Sequence, residues 1–179
     1  MRPSTAALLL SLAALAQAGC DKAKPRDLPP DPFAAGPAPA APESAPGQGM
    51  SAGLARRAET AGFFVDHVGQ AVDPFTRRPA VTAAGQPTVL DGFAFDPVAK
   101  APARGVDLIV DGKAYGAAYG AARPDVAAFF KTPGLVTVGF KAVLPADVLK
   151  PGAHTAVVRV VAADGKGYFD SPTLAFEAK

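Results

Sequence analysis

Through most of the C-terminal part of this chain, apolar side chains recur at every second residue, the period of a half-buried β-strand. In the run 136–144, Val136, Val138, Phe140, Ala142 and Leu144 share one face, while Thr137, Gly139 and Lys141 take the other. The run 155–163 repeats the pattern, with Ala156, Val158, Val160 and Ala162 inward and Thr155 and Arg159 outward. Val106, Leu108 and Val110 alternate with Asp107 and Asp111, and Asp111-Gly112-Lys113 then reads as a hairpin turn. Further strands are expected over 62–68, over 87–96 (with Val89, Phe93 and Phe95 as its bulk) and around Leu174 and Phe176. Gly165 and Gly167 punctuate the turn before Tyr168. The one good helix signal is 123–130: Pro124 suits a first helical position, Asp125 lies in the first turn, and Pro133-Gly134 ends the run. Several short strands with turns between them predict an all-β, antiparallel β-sandwich with one short helix over residues 59–179. A single cysteine excludes an intrachain disulfide, so packing alone must hold this body together.

The N-terminal part reads differently. One basic residue, Arg2, precedes an apolar run from Ala6 to Ala16, and then Gln17-Ala18-Gly19-Cys20. This is a secretory leader over residues 1–19, too short and wrongly flanked for a spanning helix. A lone cysteine directly after Ala-Gly resembles the lipobox of bacterial lipoproteins, in which the cysteine is acylated and becomes the mature N-terminus. Gln17 stands where that motif usually has leucine. The resemblance implies lipidation at Cys20 and a partner in the membrane, reached through the lipid. Two or three acyl chains hold firmly where one would not. The rival is cleavage after the A-x-A pattern Ala16-Gln17-Ala18, which leaves a soluble secreted or periplasmic protein. Asp21 resembles an inner-membrane retention residue, so the expected address is the bacterial cell envelope, on the periplasmic face of the inner membrane or on the outer membrane. Residues 20–58 hold eight prolines between Pro25 and Pro46, with alanine and glycine in the gaps and little apolar bulk. Such a Pro/Ala-rich segment is expected to be a disordered tether with polyproline II bias.

Several motifs occur in a familiar order. They are Leu90-Asp91-Gly92-Phe93-Ala94-Phe95-Asp96, then Val110-Asp111-Gly112, then Arg123-Pro124-Asp125-Val126-Ala127, then Leu149-Lys-Pro-Gly-Ala-His154-Thr155. This order resembles an Ig-like domain of bacterial surface proteins that is also appended to some membrane glycosyltransferases. The first motif there usually reads G-W-A-x-D, and the last L-x-x-G-x-H-T. Phe93 stands at the tryptophan position, where an aromatic core residue is expected. The resemblance implies a fold and no chemistry, because sandwiches of this kind host many roles.

Few side chains point to a reaction. His67 and His154 are the only histidines and have no ligand spacing, so no metal and no cofactor are expected. The aspartates lie mostly at strand ends, where turn chemistry explains them. No nucleophile elbow or phosphate loop is present, and no enzyme is expected. Without a basic run, nucleic acid is excluded as an expected partner. The tandem Tyr115-Gly-Ala-Ala and Tyr119-Gly-Ala-Ala would align two rings on one extended strand, fit to stack on a sugar or an apolar partner. Tyr115, Tyr119 and Arg123 are therefore the candidate partner-binding residues. The bland alternative for Arg123 is a carboxylate pair that pins its loop. The expected function is a non-enzymatic, membrane-anchored recognition module for an envelope protein or glycan. The alternatives are a purely structural envelope scaffold or a hydrolase with an unrecognised site.

Overall fold

The structure, a computed structural model, describes residues 49–179. The leader, Cys20 and the expected tether up to residue 48 lie outside the described residues. In chain order the elements are β1 (Ala55–Thr60), β2 (Gly62–Val68), β3 (Ala71–Val72), β4 (Val81–Thr82), β5 (Thr88–Asp96), β6 (Ala101–Pro102) and β7 (Gly105–Val110). There follow β8 (Lys113–Gly116), β9 (Ala118–Ala121), the helix α1 (Pro124–Phe129), a 3-10 turn (Pro133–Thr137), β10 (Gly139–Leu144), β11 (Gly152–Val161), β12 (Gly167–Asp170) and β13 (Leu174–Ala178).

These strands form two sheets. In the first, β8 pairs with β7 and β7 with β11, while β12 and β13 follow one another along the other edge of β11. Two outer strands run parallel to their neighbours, β1 on β12 and β4 on β13. The second sheet runs β3-β2-β5-β10-β9, with β6 also on β5. Taken in chain order, β2-β5-β10-β9 facing β8-β7-β11-β12/β13 is the A-B-E-D and C′-C-F-G arrangement of an Ig-like sandwich. The expected all-β sandwich is thus the observed fold. Its core is filled from both sheets, by Leu90, Ala94, Phe140 and Leu144 on one side and Val106, Leu108, Val158, Val160 and Phe169 on the other.

The turn motifs act as staples. Asp111 and Gly112 both take positive φ, the two-residue turn that joins β7 to β8. The Asp111 carboxylate then accepts a hydrogen bond from the Thr155 backbone N–H at 2.9 Å and meets His154 Nδ1 at 2.6 Å. His154 Nε2 lies 2.6 Å from the Lys150 carbonyl. With an acceptor at each ring nitrogen, the imidazole donates twice, as imidazolium. The Val-Asp-Gly hairpin and the His-Thr corner are therefore two halves of one clasp.

Three expectations are corrected. First, the folded body begins before residue 59. The Asp107 carboxylate, fully buried, accepts hydrogen bonds from the backbone N–H groups of Met50 and Ser51, and β1 already starts at Ala55. β1 is polar and largely exposed at the sheet edge, so it carries no apolar period to reveal it. Second, the run 136–144 is not one strand. Its first two residues close the 3-10 turn, which leaves Val136 exposed, and the strand starts at Gly139. Third, the inward face of β5 is Leu90, Gly92 and Ala94, so Phe93 is not in the central core. Phe93 and Phe95 project from the opposite face, towards a second small cluster of Val126, Leu135 and Val138 beneath α1 and the 3-10 turn.

Candidate functional site

The outer face of the second sheet carries more aromatic surface than its short helix covers. Where β2 pairs with β5, the register skips a residue between Val65 and His67, so Asp66 is an extra, bulged residue. The bulge turns both Asp66 and His67 outward, towards Arg123 and Asp91 respectively. It forms where the backbones crowd: a Cβ on Gly92 would collide with the Phe64 carbonyl oxygen, so this position requires glycine. Phe64 and Phe93 then lie side by side with centroids 6.1 Å apart and rings nearly parallel. Phe130 meets Phe93 edge-on at 6.1 Å and Phe95 at 5.0 Å.

α1 explains why these rings stay open. Pro124 starts it, Val126 is its only buried residue, and Lys131 at positive φ follows its end. Six residues cannot cover the sheet, and the two consecutive phenylalanines at its end cannot share one buried face. Phe130 remains 40% exposed and Phe129 80% exposed. A lone exposed apolar residue is ordinary, whereas a contiguous aromatic patch marks a contact surface. Phe64, Phe93, Phe129 and Phe130 line a groove of about 370 Å³, with Asp66, Arg123, Asp125 and Val126 around it.

Arg123 sits at the centre of its polar rim. Its Nη1 donates to Asp66 Oδ2 at 2.6 Å, and Nε and Nη2 donate to Asp125 at 3.0 and 2.8 Å. The guanidinium lies over the Phe93 ring, 5.3 Å from its centroid. The hydrogen bond from Arg123 holds the Asp125 carboxyl below its ordinary pKa, and the same pairs hold Arg123 above its own. Two carboxylates against one guanidinium leave the rim with one net negative charge, and the Nε–H and one N–H on each Nη of Arg123 are engaged.

The sequence-predicted site residues separate. Tyr115 and Tyr119 do not share a strand: β8 belongs to the first sheet and β9 to the second, and the chain crosses between them at Ala117. Both rings therefore turn into the interior from opposite sides. Tyr115 is 3% exposed and part of the core. The Tyr119 hydroxyl donates to the Ala94 carbonyl at 2.7 Å and accepts from the Ala103 N–H at 2.9 Å. Burial pushes the Tyr119 pKa up to about 12. The paired-tyrosine platform is thus replaced by two internal pins. Arg123 alone is at the groove, and the loop-pinning carboxylate pairs expected of it are present. Cys20 lies outside the described residues.

Sequence reasoning missed Phe64, Asp66, Phe129 and Phe130. The available signal was two doublets: Phe63-Phe64 on a strand, where neighbouring residues face opposite ways, and Phe129-Phe130 at the end of a six-residue helix with one buried position. Phe63 indeed turns inward and packs edge-on against Phe75 at 5.3 Å. Among the described residues, no three His, Cys, Asp or Glu side chains gather where they could hold a metal ion. No described helix is long and apolar enough to cross a membrane. Comparison with protein-family models, with curated proteins and with solved structures finds no match for this chain.

Proposed function

We propose that this protein is a non-enzymatic lipoprotein of the bacterial cell envelope, anchored through Cys20, whose Ig-like body is a recognition module for a protein partner. The observation that carries the reading is the open cluster of Phe64, Phe93, Phe129 and Phe130 around an Arg123 held by two carboxylates. Sugars are gripped through many hydrogen bonds to their hydroxyls, whereas this groove is lined mainly by phenylalanine rings and most of its guanidinium donors are committed to Asp66 and Asp125. An apolar peptide segment needs only a hydrophobic floor and a few polar edges, which the groove supplies. The nearby titratable groups pair with one another rather than pointing at an open space, which supports binding over catalysis. The order of motifs shared with bacterial Ig-like surface domains supports the same assignment.

The anchor is tested by fractionation: the wild-type protein should pellet with membranes and Cys20→Ser should be released. The groove is tested with a photoreactive amino acid in place of Phe129 in living cells. A discrete protein adduct is expected from position 129 and none from the same group at Lys113, on the β7–β8 hairpin. Equal labelling from both positions overturns the groove assignment. Glycan binding that disappears in Phe129→Ser overturns the choice of a protein partner.

A further inference from the structure

We infer that a second, smaller cavity, between the β7–β8 hairpin and the turn 145–149, is a binding site for a small zwitterion: a free α-amino acid with a short aliphatic side chain. The inference is independent of the aromatic groove and of any protein partner.

The cavity holds about 210 Å³ and is lined by Val110, Asp111, Lys113, Tyr115, Asp147 and Val148. Its two walls are set before anything enters. The hairpin wall is clamped where Asp111 accepts hydrogen bonds from the Thr155 N–H and from His154 Nδ1. The same imidazole donates from Nε2 to the Lys150 carbonyl, just past the opposite wall, so one histidine ties both walls together. Within the turn, the Val148 N–H donates to the Pro145 carbonyl at 3.1 Å, and Leu149 is fully buried. Walls that are already ordered lose little entropy when a ligand binds.

The groups left uncommitted in the cavity define the ligand. Tyr115 is buried and its ring packs in the core, yet its hydroxyl has no hydrogen-bond partner among the described residues. The Tyr119 hydroxyl, by contrast, has two. A buried hydroxyl without a partner is costly, so whatever fills the cavity has to meet it. Burial, and then the charges of Asp147 and Asp111, raise the Tyr115 pKa, so the hydroxyl keeps its proton and acts as a donor. Asp111 is already paired with His154. Lys113 and Asp147 are exposed and of opposite charge, and no ion pair joins either to another described residue. An anion alone would be opposed by Asp147, and a cation alone by Lys113. A zwitterion suits both. Its ammonium meets Asp147, and its carboxylate meets Lys113 and accepts from the Tyr115 hydroxyl. Val110 and Val148 then supply an apolar wall for a short side chain.

The test is thermal unfolding of the full mature chain with racemic alanine, because a ligand that binds only the folded state raises its melting temperature. At about 10 mM alanine, roughly a hundred times a Kd on the order of 0.1 mM, the rise should be roughly 10 °C. Propionate lacks the ammonium and ethylamine the carboxylate, and each should give less than half that rise. Tyr115→Phe keeps the ring and should melt like wild type without alanine. It should bind alanine about tenfold more weakly, which halves the rise, and Asp147→Asn should do the same. Phe129→Ser should leave the rise intact. No rise with alanine overturns the inference and leaves the cavity to water alone. An equal rise with propionate or ethylamine overturns the zwitterion. A rise unchanged in both cavity variants overturns the site, because alanine then binds elsewhere. A lower starting temperature in Tyr115→Phe overturns the free hydroxyl on which the site depends. Loss of the Phe129 crosslink removes the partner reading alone, so the two ideas fail separately.

Discussion

Leu90, Gly92 and Ala94 look into the sandwich; Val89, Asp91, Phe93 and Phe95 look out of it, from the same nine-residue strand. The inner set meets a complete second sheet and is sealed. The outer set meets only six helical residues and one turn, and three of the surrounding phenylalanines, Phe64, Phe129 and Phe130, remain in water. Alternation on one strand thus supplies two apolar layers with different fates. A sheet with a full partner spends its apolar surface on stability. A sheet roofed by less than two helical turns keeps some of it available for another molecule.

The comparison can be broken at its strong end by deleting Phe169, among the largest fully buried side chains. Phe169→Ala should cost about 3–5 kcal/mol in urea or thermal unfolding, through lost transfer energy and a cavity. Arg123→Ala acts at the boundary between the layers. It strips Asp66 and Asp125 of their partner and uncovers Phe93, and because these pairs are partly exposed the loss should be about 1–2 kcal/mol. A melting temperature equal to wild type would show that the guanidinium holds nothing in place.

A smaller, pH-dependent effect separates the two sheets. Burial alone would lower the His154 pKa, but the hydrogen bonds to Asp111 and the Lys150 carbonyl raise it above its ordinary value. A histidine whose folded pKa is raised gives stability that is complete below its unfolded pKa and is lost as pH climbs through the folded one. Melting temperature should therefore fall from about pH 6.5 upward, and His154→Gln should flatten that slope. A slope that survives in the variant assigns it to another group. The smallest effect on stability belongs to Phe129→Ser, within about 0.5 kcal/mol of wild type, yet this change should abolish the in-cell contact made from the groove.

Legibility in the sequence followed the same division. Strands that alternate apolar with polar residues announced themselves: Val158 and Val160 alternate with Arg159, and Val106, Leu108 and Val110 with Asp107. The sandwich, the hairpin at Asp111-Gly112 and the helix at Pro124 follow from that period and from turn chemistry. β5 was misjudged because both of its faces carry apolar side chains, so bulk did not reveal which side looks inward. β1 was hidden because an exposed edge strand needs no apolar face. The tyrosine repeat misled because the chain changes sheets at Ala117, and spacing along a sequence does not show where a strand leaves its sheet. Arg123 was found from its neighbours Pro124 and Asp125. The groove around it depends on a bulge at Asp66 and on the shortness of a helix, and neither is a local property.

Phe93 gives the groove one further property. The chain contains no tryptophan, so its ultraviolet emission comes from tyrosine and the groove itself is optically dark. Phe93→Trp would install the molecule's sole indole fluorophore beneath a guanidinium. Its colour and brightness would then follow whatever enters or leaves, without any label.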